Sequence, residues 1–156
     1  MATRIFLHGL DSSGTGTKGT FFLKHFPDML RPDFAGTLRD RMKQLYSLLD
    51  DTEDLIAVGS SFGRLMAACL AIEHSGKVQR LILLAPALNF HEFRIPDKKV
   101  DIETIVVIGK EDVVTPPNIV VPLAEATFSN LQLSIVNDDH LLHNTYRNLD
   151  WDFLLR

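Results

Sequence analysis

Short apolar runs alternate along the chain with longer segments whose apolar residues recur at helical spacing. Six runs predict strands, at residues 5–7, 29–31, 55–58, 78–84, 104–108 and 131–136. Helical spacing predicts helices at residues 17–26, 37–49, 65–72 and 119–128, and in a terminal segment containing Leu142, Tyr146, Leu149 and Phe153. Short strands separated by helices are typical of βαβ units. We therefore expect an α/β fold, a three-layer α/β/α sandwich around a mainly parallel sheet of about six strands.

The alternation runs through the whole chain without a linker, an internal repeat or a low-complexity tract. A length of 156 residues also suits one domain. Residues 1–156 are therefore predicted to form a single domain. The most irregular stretch is 87–101, which mixes apolar side chains with charged ones.

Composition narrows the classes of partner. Sixteen Lys and Arg against twenty Asp and Glu give a net charge of −4, which provides no basic field for nucleic acid or anionic lipid. No apolar run approaches the roughly 20 residues that span a bilayer, and the run at 5–7 is too short for a signal peptide, so we expect a cytoplasmic protein. The one cysteine, Cys69, allows no internal disulfide and no CxxC zinc site, and its apolar neighbours predict a core residue.

A pentapeptide, Gly59-Ser60-Ser61-Phe62-Gly63, joins a predicted strand to a predicted buried helix. A nucleophilic serine needs a sharp turn that exposes its hydroxyl above the sheet, and glycines two residues to either side leave room for it. The following helix directs its N-terminal N–H groups at a developing oxyanion. A glycine- and serine-rich turn without chemistry is the alternative. The placement between strand and helix favours Ser61 as a nucleophile.

An acid and a base follow two later strands. Asp112 comes shortly after the run at 104–108, and His140 shortly after the run at 131–136. The carboxyl ends of parallel strands meet at one edge of a sheet, so we expect Ser61, Asp112 and His140 to meet there. A serine nucleophile needs a base, and the base needs an acid to orient it. The spacing therefore predicts a catalytic triad in the order Ser, Asp, His.

This arrangement resembles the α/β-hydrolase superfamily of serine esterases, and its small bacterial members with little or no lid in particular. The turn at Ser61 matches the family's nucleophile elbow, Asp112 within Gly-x-x-Asp-x-x-x-Pro looks like its acid loop, and His140 looks like its base. The resemblance spans the chain from the first strand to His140. The segment before Ile5 is too short for the family's usual first hairpin, so we expect the sheet to begin at the strand that is third in the family. The stretch 87–101 is too short for a separate lid domain.

The resemblance also implies an oxyanion hole. His8-Gly9 after the first strand resembles the family's oxyanion loop, which implies that the backbone N–H groups of Leu10 and Phe62 hold the oxyanion. His8 is expected to shape that loop and not to act as a base. An acyl pocket could be lined by Leu88, Phe90 and Phe93, which could equally anchor their loop on the core.

Other residues could replace members of the triad. Glu111 and Asp101 are alternative acids, although Asp112 fits the motif spacing better, and His143 is an alternative base. Asp138 and Asp139 adjoin His140 and could orient it or shape its turn. The remaining histidines are expected to lie at the surface or to be structural; they are His25, His74 and His91.

A competing motif lies near the N-terminus. Gly14, Gly16 and Gly19 satisfy G-x-G-x-x-G, and Asp33 follows where a ribose-binding acid could lie. A dinucleotide fingerprint begins almost at its strand end, however, whereas Gly14 is seven residues beyond Leu7. Thr15 also stands where a P-loop requires lysine. A polar loop beside the active site is the favoured interpretation, and no metal-binding motif of the H-E-x-x-H type is present.

The sequence thus predicts a serine hydrolase acting on small carboxylic esters or thioesters through an acyl-enzyme, without metal or organic cofactor. A small-molecule substrate is the expected partner. A second functional class is also possible on this fold, a binding protein without catalytic activity, because a hydrolase fold alone does not establish activity.

Overall fold

The computed structural model describes residues 1–9, 14 and 16–156. Its strands form one five-stranded sheet in the order β1-β2-β3-β4-β5, with every neighbouring pair parallel. The strands are β1 Thr3–Leu7, β2 Leu55–Ser60, β3 Val78–Leu84, β4 Glu103–Gly109 and β5 Leu131–Val136. Each strand therefore lies beside its successor in the chain, and all carboxyl ends meet at one edge. This confirms the predicted α/β class and parallel sheet.

Helices cover both faces of the sheet. They are α1 Thr17–His25, α2 Leu38–Leu48, α3 Phe62–Glu73, α4 Pro117–Thr127, α5 Thr145–Asn148 and α6 Trp151–Leu154, with a 3₁₀ turn at Ser75–Lys77. Local signals explain two of the starts. Thr37 and Asp40 form a capping box at the start of α2. Helix α4 begins with Pro117, whose fixed φ suits the first turn.

An apolar core lies on each face of the sheet, and successive side chains of β2 point alternately into one core and the other. Leu55 and Ala57 point into a core shared with α2, α3 and α4, whereas Ile56 and Val58 point into a core shared with α1, α5 and α6. All six residues of β2 are buried, as expected for a central strand of a parallel sheet covered on both faces. The three-layer architecture follows directly from this two-sided burial.

Two sequence predictions need adjustment. Residues 29–31 contribute an isolated bridge between Leu30 and Ile5 in place of a sixth strand. Prolines at positions 27 and 32 lie on either side of this segment and have no N–H for a longer ladder. The terminal helix is two short helices, because Leu149 is extended between them and the Asp150 side chain caps the second by accepting from the Phe153 N–H.

The stretch 87–101 contains turns and bends and no helix. Leu88 and Phe93 hold it on the core. Within the part of the chain that the structure describes, no helix has both the length and the apolar character needed to cross a membrane.

Candidate active site

Ser61 lies on a sharp turn between β2 and α3, with φ 56° and ψ −115°. Positive φ is uncommon for a residue with a side chain, and its presence at the end of a central strand is typical of a nucleophile elbow. The flanking glycines are required by close backbone contacts. A Cβ at Gly63 would lie 2.0 Å from the Leu7 carbonyl oxygen, and one at Gly59 would lie 2.7 Å from Arg64 Cα. The turn thus fits the sequence prediction in its local geometry.

Ser61, His140 and Asp112 form a continuous chain of hydrogen bonds. The Ser61 Oγ atom is 3.1 Å from His140 Nε2, and His140 Nδ1 is 2.8 Å from Asp112 Oδ2. With an ionised carboxylate at Asp112, Nδ1 carries the proton and donates it, so Nε2 is left to accept from the serine hydroxyl. The structure therefore brings together the three residues that the sequence predicted, from three strand ends.

The Asp112 carboxylate is buried and held by its own loop. Its Oδ1 atom accepts from the backbone N–H groups of Val114 and Thr115 at 2.9 and 2.7 Å, and Oδ2 accepts from the Thr115 hydroxyl at 2.6 Å. Burial by itself raises the pKa of Asp112, but the hydrogen bonds from Thr115 and His140 outweigh it and hold the pKa below its ordinary value. Asp112 is therefore an ionised acceptor for His140 at neutral pH.

Thr115 is a site residue that sequence reasoning missed. Its hydroxyl donates to Asp112 and lies 3.3 Å from both His140 Nδ1 and the Ala85 carbonyl oxygen. Thr115 follows Asp112 by three residues, a spacing at which an Asp side chain can accept hydrogen bonds from the residues of its own turn. That spacing is the signal that could have identified Thr115 from the sequence. The hydroxyl fixes the carboxylate orientation that in turn fixes the imidazole.

Of the two backbone N–H groups predicted to form an oxyanion hole, the structure describes that of Phe62. Phe62 is the first residue of α3, where backbone N–H groups have no acceptor within the helix. Leu10, the other predicted donor, lies outside the described residues. Positioning of the Phe62 N–H directly after Ser61 suits the oxyanion of a serine adduct.

His8 is buried beneath this region and has both ring nitrogens engaged. Its Nε2 accepts from the Phe34 N–H at 3.0 Å, and Nδ1 donates to the Gly9 carbonyl oxygen at 2.6 Å. The ring also stacks on Phe34, with centroids 5.8 Å apart. Because the lone pair of Nε2 accepts from the Phe34 N–H, His8 ties the end of β1 to Phe34 and is unsuited to act as a base.

The alternative acids and the alternative base do not join the hydrogen-bonded series of Ser61, His140 and Asp112. Asp101 accepts from the Ser129 hydroxyl at 3.2 Å, and the Glu111 side chain is exposed, so neither of these carboxylates holds His140. His143 lies on the cavity wall, 3.3 Å from an Asp139 oxygen, and makes no hydrogen bond to Ser61.

Asp138 shapes the turn that carries His140. Its Oδ2 atom accepts from the N–H groups of Asn144 and Thr145 and from the Thr145 hydroxyl, and Oδ1 accepts from the Asp139 N–H. Burial by itself raises the pKa of Asp138, but the hydrogen bonds from Asp139, Thr145 and Asn144 together outweigh it and hold the pKa below its ordinary value. Its role is therefore structural, which the sequence had left open.

A cavity of about 470 Å³ opens over the serine and histidine. The residues lining it are Phe6, Gly9, Gly16, Thr17, Lys18, Gly19, Ser60, Ser61, Val114, His140, Leu141, His143 and Tyr146. None of the predicted acyl-pocket residues is among them. Leu88 and Phe93 are buried in the core, and Phe90 packs edge-on against Phe62 at 5.2 Å between centroids.

The glycine-rich segment forms part of the cavity wall, and its glycines serve chain packing. A Cβ at Gly19 would lie 2.0 Å from the Gly14 carbonyl oxygen, and one at Gly14 would lie 2.1 Å from the Arg31 carbonyl oxygen. Asp33, the candidate ribose acid, instead accepts from the Gly14 N–H at 2.7 Å. These contacts favour the structural interpretation over nucleotide binding.

Two cations near the site were not identified from the sequence. Arg64 is buried behind the elbow, where its Nε donates to the Gly59 carbonyl oxygen at 2.8 Å and its Nη2 lies 3.4 Å from Ser60 Oγ. Lys18 reaches the cavity from α1 and donates to the Leu141 carbonyl oxygen at 2.7 Å. Arg64 could have been noticed as a charged residue in an otherwise apolar helical segment.

No group of three or more His, Cys, Asp or Glu residues suited to holding a metal ion occurs within 1–9, 14 and 16–156. Comparison with known sequences finds no matching family model and no matching curated protein.

Solved structures match the fold across nearly the whole chain. A YdeN-like hydrolase from Pectobacterium atrosepticum is 19% identical, with a TM-score of 0.77 over 100% of this chain and 88% of that one. An alpha-beta serine hydrolase homologue from Coxiella burnetii is 20% identical, with a TM-score of 0.75 over 99% and 84% of the two chains. The chain has the α/β-hydrolase fold.

Mouse alpha/beta hydrolase domain-containing protein 10 has the same fold, at 19% identity and a TM-score of 0.73 over 92% of this chain and 84% of that one. The resemblance drawn from the elbow, the acid loop and the histidine is thereby confirmed at the level of fold. Within the α/β-hydrolase fold, Ser61, Asp112 and His140 lie at the carboxyl ends of the strands, where ligands bind in open α/β sheets.

Proposed function

We propose that this protein is a serine hydrolase that cleaves small carboxylic esters or thioesters. The observation that carries the proposal is the hydrogen-bonded series from Ser61 through His140 to Asp112 on the wall of an open cavity. The left-handed backbone at Ser61 adds to it, because strain of this kind is maintained at functional turns.

Acylation follows from the geometry. Ser61 Oγ attacks the substrate carbonyl carbon while its proton passes to His140 Nε2, and the Asp112 carboxylate stabilises the imidazolium that results. The carbonyl oxygen gains the negative charge and accepts from the Phe62 N–H and, by the predicted loop, from that of Leu10. Removing one such donor typically costs about 3 kcal/mol of transition-state stabilisation.

Collapse of the tetrahedral adduct breaks the bond to the leaving oxygen or sulfur, which takes the proton from His140. A water molecule then attacks the acyl-serine carbonyl, giving its proton to the same nitrogen. The second collapse returns that proton to Ser61 Oγ and releases the carboxylic acid. His140 therefore serves in turn as base and acid, which its position between the serine and Asp112 permits.

The substrate is proposed to be small, because the cavity of about 470 Å³ is open and the stretch 87–101 forms turns without a helical cover. Among p-nitrophenyl esters we expect short acyl chains to be preferred over long ones.

Covalent labelling tests the proposal. A fluorophosphonate probe should modify Ser61, identified by fragmentation of the labelled peptide so that it is distinguished from Ser60. Labelling and ester turnover should vanish in Ser61→Ala and persist in Ser134→Ala, a change at an exposed serine on β5. If folded wild-type protein is neither labelled nor active on short esters, the fold serves binding and not hydrolysis.

A further inference from the structure

Lys18 places a cation in the same cavity as Ser61 and His140. Its ammonium donates to the Leu141 carbonyl oxygen at 2.7 Å and lies 4.9 Å from the centre of the Tyr146 ring. An ammonium has three N–H donors, so the carbonyl accounts for only one of them. Among the described residues, no carboxylate oxygen lies within 4.0 Å of this nitrogen.

The two described carboxylates that act on the charge of Lys18 are hydrogen-bonded within their own turn. Asp138 accepts from Asn144, Thr145 and the Asp139 N–H. Asp139 accepts from the Leu141 N–H at 3.0 Å and lies 3.3 Å from His143 Nδ1. Both carboxylates influence Lys18 through space without forming an ion pair with it.

Further positive charge lies behind the cavity. Arg64 is 1% exposed, and its Nη1 atom has no hydrogen-bond partner within the described part of the chain. Arginine stays protonated in proteins. Burial and the Arg64 charge lower the pKa of Lys18 to about 8, with Arg147 adding to the effect. Burial and the neighbouring cations disfavour the positive charge on the Lys18 ammonium. An anionic ligand bound beside Lys18 would therefore stabilise that charge.

The contact with Leu141 shows which part of a substrate meets Lys18. Leu141 directly follows His140, and His140 Nε2 must deliver its proton to the leaving group. The leaving group therefore lies on the histidine side of the serine, which is also the side of the Lys18 ammonium.

We propose that Lys18 binds an anionic group, such as a carboxylate, on the leaving group of the substrate. This deepens the proposed function and rests on it. The substrates would be small esters or thioesters whose alcohol or thiol portion carries negative charge, with the ammonium acting as a specificity determinant and taking no part in proton transfer.

Two matched esters test the assignment. The probes are 3-acetoxybenzoate and 3-acetoxybenzamide, which share the acetyl group and differ in whether the leaving phenol carries a carboxylate or a neutral amide of similar shape. The ratio of kcat/KM for the anionic over the neutral ester should fall about tenfold or more in Lys18→Met, the loss expected for a charge-assisted hydrogen bond. Lys18→Arg should restore most of the ratio, and Lys24→Met, at an exposed lysine on the same helix, should leave it unchanged.

A role of Lys18 that is only structural gives a different result. If Lys18 merely holds the Leu141 carbonyl in place, Lys18→Met lowers kcat/KM equally for both esters, and this outcome overturns the proposal. An unchanged ratio and unchanged rates overturn it as well.

Binding without turnover separates this inference from the proposed function. Calorimetry of 3-hydroxybenzoate and 3-hydroxybenzamide with the Ser61→Ala protein measures the subsite even if no ester is hydrolysed. Tighter binding of the carboxylate, lost in the Ser61→Ala, Lys18→Met double variant, supports the anion site. Equal binding of the two phenols argues against it, whatever the labelling of Ser61 shows.

Discussion

Replacing Asp112 with Asn tests the electrostatic part of the site with little change in shape. The carboxylate accepts on both oxygens, from the Val114 and Thr115 N–H groups on one and from the Thr115 hydroxyl and His140 Nδ1 on the other. The two backbone donors hold the amide oxygen of Asn on the Oδ1 side. The amide NH₂ then faces His140 Nδ1, which must become the acceptor.

That exchange changes the tautomer of His140. With Nδ1 accepting, the proton resides on Nε2, which can no longer accept from the Ser61 hydroxyl at 3.1 Å. The imidazolium also loses its buried countercharge. In triads of this type the tautomer change lowers kcat about 10⁴-fold, a value established for another serine hydrolase and equivalent to about 5.5 kcal/mol. We expect a loss of kcat/KM of at least about 10³-fold here.

The assay is hydrolysis of p-nitrophenyl acetate by wild type, Asp112→Asn and the control Asp152→Asn, whose side chain is exposed on α6. Far-UV circular dichroism and thermal unfolding verify that each protein is folded. The control should match wild type. A folded Asp112→Asn protein that keeps more than a tenth of wild-type kcat/KM would refute the assigned role of the carboxylate.

Two further predictions follow from the same site. Thr115→Val removes the hydroxyl that donates to Asp112 at 2.6 Å but keeps the backbone donor. We expect kcat/KM on p-nitrophenyl acetate to fall about tenfold in this variant and to recover in Thr115→Ser. Equal losses in both variants would exclude the hydroxyl as the cause. The preference for 3-acetoxybenzoate should be present below pH 8 and decline above it, because the pKa of Lys18 is about 8 under the influence of burial, Arg64, Arg147, Asp138 and Asp139. Lys18→Arg should keep the preference to higher pH, and a pH-independent wild-type ratio would contradict the assignment.

Much of the site was predictable because its signals are local. The turn at Ser61 needs Gly59 and Gly63 at fixed spacing between a strand and a helix. The sequence shows that strand as a short apolar run and that helix as a longer apolar segment. Asp112 and His140 could be placed because each follows a strand closely and parallel strands end at one edge. These inferences use only distances along the chain.

Contacts between distant segments could not be predicted in this way. The Lys18 ammonium meets the Leu141 carbonyl across 123 positions of sequence, and the Thr115 hydroxyl reaches Ala85 across 30. The position of the Phe90 ring was likewise not predictable, because the ring packs against Phe62 and does not line the cavity. Side-chain direction at these positions depends on how loops lie against one another after the sheet has formed.

The sequence by itself determined the class of fold, the Gly-x-Ser-x-Gly turn and the order of the three candidate catalytic residues. Periodicity and turn chemistry encode these features within a few residues of each site. Tertiary structure decided that five strands pair, that the terminal helix divides at Leu149, and that a lysine from α1 faces the histidine loop. Packing of the two cores on either face of the sheet sets these relationships, because it brings together segments whose separation along the chain carries no information about their distance in space.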